Sequence, residues 1–116
     1  MIIEVINSGT ELLLGEVTNT HLAWIAKRVF PLGLRISRQT TVPDGPAIRD
    51  AVCETFNRAD IVFITGGLGP TTDDITREAV AEILGLKLVP NETVRGAIEA
   101  RLAARGYKLL ERMLRQ

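Results

Sequence analysis

Residues 61–84 read IVFITGGLGPTTDDITREAVAEIL, and this stretch decides the fold class. Four consecutive apolar residues at 61–64 indicate a strand covered on both faces, as in the centre of a parallel sheet. A glycine-rich loop follows at once. The apolar residues after it recur with helical spacing, which predicts a helix from about Asp73 to Leu84. A strand that passes through a glycine loop into a helix is the building unit of an α/β sheet.

The rest of the chain repeats this alternation on both sides of the glycine loop. The predicted elements are strands at 2–6 and 34–42, helices at 20–30 and 46–56, a short extended segment at 86–89, a helix at 91–105 and a last helical piece at 109–116. Polar residues in 34–42 favour a sheet edge. This order predicts one domain over residues 1–116, a three-layer α/β/α fold with an open, mostly parallel sheet.

The composition excludes several classes of function. The chain has 14 basic and 14 acidic residues and only five aromatic ones, three Phe, one Trp and one Tyr, so it lacks the charge and the stacking surface for nucleic acid. No apolar run approaches the roughly 20 residues that span a bilayer, so we expect no membrane interaction. The single cysteine forms no internal disulfide, which favours a reducing, cytoplasmic location.

Three loops are the candidate ligand site, because ligands of open parallel sheets bind beyond the carboxyl ends of the strands. They are residues 8–15, 43–46 and 66–74. In the third loop, Gly66, Gly67 and Gly69 let backbone N–H groups approach an anion closely. The loop matches neither the P-loop nor the dinucleotide fingerprint. The alternative is that it is only a tight connection between strand and helix.

Asp73 and Asp74 leave two interpretations open. Acids in a first helical turn complement the helix dipole, and the spacing of Thr71 and Asp74 fits a capping box. Alternatively, two carboxylates beside a phosphate cradle require a cation, and a divalent metal held by carboxylate and phosphate oxygens supplies it. The second interpretation points to metal-assisted phosphoryl or nucleotidyl chemistry.

Three motifs together resemble a known family. Residues 9–15 (GTELLLG), Asn19-Thr20 and residues 66–80 (GGLGPTTDDITREAV) are similar to the amino-terminal domain of the competence/damage-inducible protein CinA, a member of the MoaB/Mog-like molybdopterin-binding group. The resemblance runs along the whole chain. It implies the MoaB/Mog-type fold and a site for the phosphate of a nucleotide or a pterin. It further implies a hydrolase, a metal-dependent ADP-ribose pyrophosphatase, or, in Mog-type relatives, adenylylation of molybdopterin.

The resemblance also implies roles for individual residues. Asp74 and Asp44 take the place of essential aspartates and are the expected catalytic residues. Asp73 and Asp74 are the expected ligands of a divalent metal ion, with Asp44 or Glu11 in support. The expected substrate-binding residues come from the first and third loops: Gly9, Thr10, Glu11, Gly66, Gly67, Gly69, Pro70 and Thr71.

The C-terminal end of the chain departs from the family. After Arg115-Gln116 the family continues with further strands and another site loop, so we expect the domain to be C-terminally incomplete. A sheet left with an open edge usually buries it against another segment or subunit, so a homo-oligomer is expected. The leading hypothesis is a CinA-type pyrophosphatase domain. The alternatives are a non-hydrolytic molybdopterin-binding module and an inactive interaction domain.

Overall fold

The computed structural model describes residues 1–115 and shows strands alternating with helices. The elements are β1 (Ile3–Ser8), α1 (Thr10–Leu13), α2 (Thr20–Val29), β2 (Arg38–Val42), α3 (Ala47–Phe56), β3 (Ile61–Thr65), α4 (Thr76–Ile83) and α5 (Glu92–Ala103), with short 3-10 helices at Phe30–Leu32 and Glu111–Arg115. No helix within residues 1–115 has the length and the apolar character that crossing a lipid bilayer requires.

The sheet has the strand order β2-β1-β3, and both pairings are parallel. Val5 of β1 lies opposite Gln39 on one side and Phe63 on the other. Every residue of β1 is buried, whereas β3 is only partly buried. The prediction that residues 61–64 form the central strand is therefore wrong for the described chain. A continuous apolar run indicates that helices cover both faces of a strand. It does not indicate that the strand has a neighbouring strand on each side.

Helices cover both faces of the sheet. On one face Ile6 packs in a cluster with Ile48 and Val52 of α3 and Ala79 of α4. On the other face Val5 packs with Ile25 and Val29 of α2. Because side chains alternate between the two faces of a strand, neighbouring residues of β1 enter separate cores. The predicted three-layer α/β/α arrangement is confirmed.

The structure differs from the predicted elements in five places. β2 begins at Arg38 rather than at residue 34. The first loop contains the short helix α1, which the sequence pattern did not indicate. α4 begins at Thr76 rather than near Asp73, because the residues before it form a separate turn. Residues 86–89 are exposed and form no strand, because no neighbouring strand in the described chain pairs with them. α5 has the predicted position, but none of its residues is buried. Of the last predicted helical piece, Gln116 lies outside the described residues.

A partly buried ion pair joins β1 to the residues just after α3. Arg58 donates from Nε and Nη2 to the two carboxylate oxygens of Glu4, at 2.8 and 2.9 Å. Glu4 is only 3% exposed. The hydrogen bonds from Arg58 hold the pKa of Glu4 below its ordinary value, although desolvation of the carboxylate opposes them. Arg58 also donates to the backbone carbonyl of Glu54, so one guanidinium ties the last turn of α3 to the central strand.

Candidate functional site

The three predicted site loops meet at Ser8, the last residue of β1. The Ser8 hydroxyl donates to Oδ1 of Asp44, at 3.2 Å, in the loop after β2. Gly66, in the loop after β3, passes so close that a Cβ atom there would lie 1.9 Å from the backbone oxygen of Ser8. The carboxyl ends of parallel strands share one edge of the sheet, and this edge carries the candidate site. We call Ser8, Thr10, Asp44 and Gly66 the Ser8 cluster.

Asp44 fastens the second loop to the first. Its carboxylate accepts from the backbone N–H of Thr10 at 3.1 Å, and its own N–H donates to Thr10 Oγ1 at 3.1 Å. Gly9 donates its N–H to the carbonyl of Val42 at 3.0 Å, which extends the pairing of β1 and β2 by one bond. Glu11 is exposed, and its carboxylate lies over Gly9. The structure therefore brings Gly9, Thr10 and Glu11 together with Asp44 at one end of the sheet.

The glycine loop is held against the start of α4. Thr76 donates its hydroxyl to the carbonyl of Gly66 at 2.9 Å and its N–H to the carbonyl of Gly67 at 3.2 Å. Gly66 and Gly67 have φ angles of +86° and +64°, which residues with a Cβ rarely adopt. A Cβ at Gly67 would lie 2.2 Å from Thr76 Oγ1. Glycine is thus required at both positions, because the loop packs closely against Ser8 and Thr76.

Asp74 folds back over the second half of this loop. Its Oδ2 accepts from the backbone N–H of Thr71 at 2.9 Å and from the Thr71 hydroxyl at 2.6 Å. A Cβ at Gly69 would lie 2.7 Å from the same oxygen, so Gly69 and Thr71 lie against the carboxylate, with the half-buried Pro70 between them. Asp74 is half-buried and Asp73 is exposed. The expected contact between Thr71 and Asp74 exists, but it closes a turn before α4 and does not cap the helix.

The acids of the site do not form a metal cage by themselves. Within residues 1–115 no three His, Cys, Asp or Glu side chains are grouped so that they could hold a metal ion. Mg²⁺ commonly takes only one or two protein carboxylates and completes its shell with phosphate oxygens and water. The metal ligands expected from the sequence, Asp73 and Asp74, therefore stay a prediction.

A buried polar network lies beneath the site, and sequence reasoning missed it. Asn7 is fully buried in β1, and its Nδ2 donates to Thr65 Oγ1 of β3 at 2.6 Å. Its Oδ1 accepts from Asn19 at 2.9 Å and from Gln39 of β2 at 3.1 Å. Asn19 in turn caps α2 by accepting from the N–H of Leu22. One amide thus joins all three strands to a helix start. The sequence singled out Asn19-Thr20 as a motif, but the only signal for Asn7 was a polar residue at the end of a strand.

Residues 4–112 match the family model described as the probable molybdopterin binding domain. This match covers nearly the whole chain, so the chain belongs to that family, as the motifs at 9–15 and 66–80 predicted. The family and the layered parallel sheet confirm the predicted fold class.

Individual relatives bear the name that the motifs indicated. A CinA-like protein of Akkermansia muciniphila is 46% identical over 109 residues, which are 94% of this chain and 26% of that protein. The structure of CinA from Thermoplasma acidophilum, titled as of unknown function, superposes with a TM-score of 0.78 at 30% identity, over 98% of this chain and 67% of that one. MoaB of Thermus thermophilus superposes with a TM-score of 0.58 at 25% identity, over 71% and 54% of the two chains.

Proposed function

We propose that this domain binds the diphosphate of a nucleotide such as ADP-ribose at the Ser8 cluster and the neighbouring glycine loop, and hydrolyses it. The observation that carries the proposal is the meeting of three strand ends at Ser8. Gly66 can approach Ser8 only because it has no side chain, and two aspartates flank the same edge. A loop of this kind, with carboxylates at its rim, suits a phosphate group bound together with a cation.

The proposed reaction is the attack of water on one phosphorus of the diphosphate. The P–O–P bond breaks, and the products are AMP and ribose 5-phosphate, with the released protons passing to solvent. A bound divalent cation would supply charge neutralisation and a more acidic water. The chain contributes orientation: Thr71 fixes the carboxylate of Asp74, while Ser8 and Thr10 fix that of Asp44. Carboxylates held in this way are placed before substrate binds, which lowers the cost of reaching the reactive geometry.

The test is incubation of the 116-residue chain with ADP-ribose and a panel of divalent metal ions, with AMP and ribose 5-phosphate measured by chromatography. Release of both products that requires a metal and is abolished by a chelator supports the proposal. ADP-ribose that stays intact with every metal, both with this chain and with a longer chain that carries the further site loop expected of the family, contradicts the proposal, provided that each gives a folded circular dichroism spectrum.

The family match favours a second candidate function, binding of molybdopterin without hydrolysis. In this case the same glycine loop holds the single phosphate of the pterin, and Asp74 orients it without taking part in bond cleavage. Saturable binding of the pterin, measured by quenching of its fluorescence, together with the absence of AMP release would favour this function. Tight pterin binding that competes with ADP-ribose hydrolysis would instead show one site serving both ligand classes.

A further inference from the structure

A pocket lies between the start of α4, helix α5 and the C-terminal segment. Its volume is about 520 Å³, within the range of roughly 300–1,000 Å³ that small-molecule sites occupy. Most of its wall is apolar, and its apolar lining residues include Leu88, Val94, Ile98, Leu109 and Met113. None of the residues of the Ser8 cluster lines it. We call it the α5 pocket.

Arg77 gives the α5 pocket a charged group with an unused donor. Its side chain is 24% exposed, yet its Nε atom is buried and has no hydrogen-bond partner among the described residues. The nearest acid recorded for it is Glu78, whose Oε1 lies 3.9 Å from Nη2, too far for a hydrogen bond. A buried donor without an acceptor costs free energy, and an acceptor from a ligand would remove this cost.

The other arginine of the pocket differs from Arg77 in its partners. Arg95 donates from Nε to Glu99 at 3.1 Å and lies 3.9 Å from Glu92. Its charge is therefore balanced within α5. Glu78 and Glu92 also line the pocket and would repel a ligand that carries several negative charges. The two arginines and two glutamates of the wall sum to no net charge and disfavour a diphosphate. The preference for a single negative charge rests on Arg77 alone.

We propose that the α5 pocket binds a small organic monoanion, with its apolar or aromatic body against Val94 and Ile98 and its acidic group on Arg77. A carboxylate or sulfonate matches the planar guanidinium and accepts from its accessible N–H groups. The apolar body of the ligand would contact the apolar part of the wall. Its transfer from water is favourable in proportion to the apolar area removed from water. This site is separate from the proposed phosphate site and does not depend on it.

The test compares two fluorescent probes that differ in charge. Anilinonaphthalene sulfonate is an aromatic monoanion, and phenylnaphthylamine is its uncharged counterpart. We expect the wild-type chain to bind the sulfonate about tenfold more tightly, the effect of one charge-assisted hydrogen bond. Arg77→Met should remove this preference while binding of the neutral probe stays unchanged. Arg95→Met is the matched control and should keep the preference.

A filled pocket provides a second measurement. Ile98→Trp leaves Arg77 in place, and we expect it to weaken binding of both probes. Equal affinity of the wild-type chain for the two probes would overturn the proposal, even if Arg77→Met failed to fold. So would an unchanged preference in a folded Arg77→Met variant, or unchanged binding of both probes in a folded Ile98→Trp variant. Neither nucleotide nor metal is present, so the outcome is independent of ADP-ribose hydrolysis.

Discussion

Gly66 is the residue whose lack of a side chain matters most for the site. We expect Gly66→Ala to lower the free energy of unfolding by about 3 kcal/mol, because the methyl group adds a clash with Ser8 to an unfavourable backbone conformation. Gly15→Ala is the matched control: Gly15 has a φ of +75° but open space around it. It should cost only about 1 kcal/mol. Urea unfolding of both variants measures the difference, and equal losses would show that Ser8 and Gly66 are not in close contact.

Asp74 is the residue on which the proposed hydrolysis depends most. Asp74→Asn keeps an oxygen that can accept from Thr71 but removes the negative charge. We expect the rate of ADP-ribose hydrolysis to fall at least about 100-fold, equivalent to about 2.7 kcal/mol of barrier, while the melting temperature changes little.

Asp73→Asn is the control for Asp74→Asn, since Asp73 is exposed and adjacent. A loss of about tenfold or less there would match a supporting role. Equal losses at both positions would indicate that the two carboxylates share one metal ion. An Asp74→Asn variant with full activity would remove Asp74 from the mechanism.

Much of the candidate site followed from single residue types in the sequence. The glycines after an apolar strand predicted a ligand-binding loop at Gly66. The turn after β2 indicated Asp44 as a site residue. The sequence did not show that Ser8 is where these loops meet, because Ser8 donates to a residue 36 positions away. The role of Asn7 was not predicted for the same reason, because its hydrogen-bond partners come from β2, β3 and the start of α2. Local patterns contain no record of which polar groups will be buried together.

At the scale of elements, the ion pair between Glu4 of β1 and Arg58 after α3 makes the fold sensitive to acid. The pKa of Glu4 is lowered in the folded chain, so its contribution to stability is complete above the ordinary pKa of a glutamate. It is lost as the pH falls through the lower, folded pKa, because the unfolded chain then binds the proton more readily. We expect the melting temperature to fall steeply below about pH 4.

Glu4→Gln tests this assignment. The variant should melt several degrees lower than the wild type at neutral pH and should show a shallower fall on acidification. Glu82→Gln is the matched control, since Glu82 pairs with Arg49 between α4 and α3 with both side chains at least half exposed. Exposed pairs of this kind contribute little, so its melting curve should follow the wild type. A Glu4→Gln variant with the wild-type pH profile would assign the acid sensitivity to other carboxylates.

At the scale of the whole molecule, sequence periodicity predicted the helices better than it predicted their packing. α3 and α5 both have apolar residues at helical spacing. α3 buries Ile48, Ala51 and Val52 against the sheet, while α5 buries no residue. The pattern identifies an apolar face, but the surface that covers it is set by the tertiary structure. The homo-oligomer expected from the open sheet edges stays a prediction, because the sequence pattern does not show which surface covers an apolar face or an open edge.

This unequal burial predicts unequal stability along the chain. Every residue of β1 is buried, so its amides should exchange with solvent only when the whole domain unfolds. α5 should open on its own, and we expect its amides to be protected at least about 100-fold less than those of β1. α3 is the control helix, similar in length but packed on the sheet, and its central amides should match β1. Hydrogen exchange followed by NMR measures all three at once. Protection in α5 equal to that in α3 would mean that α5 is covered in solution, and sedimentation of the same sample would then show whether a second copy of the chain covers it.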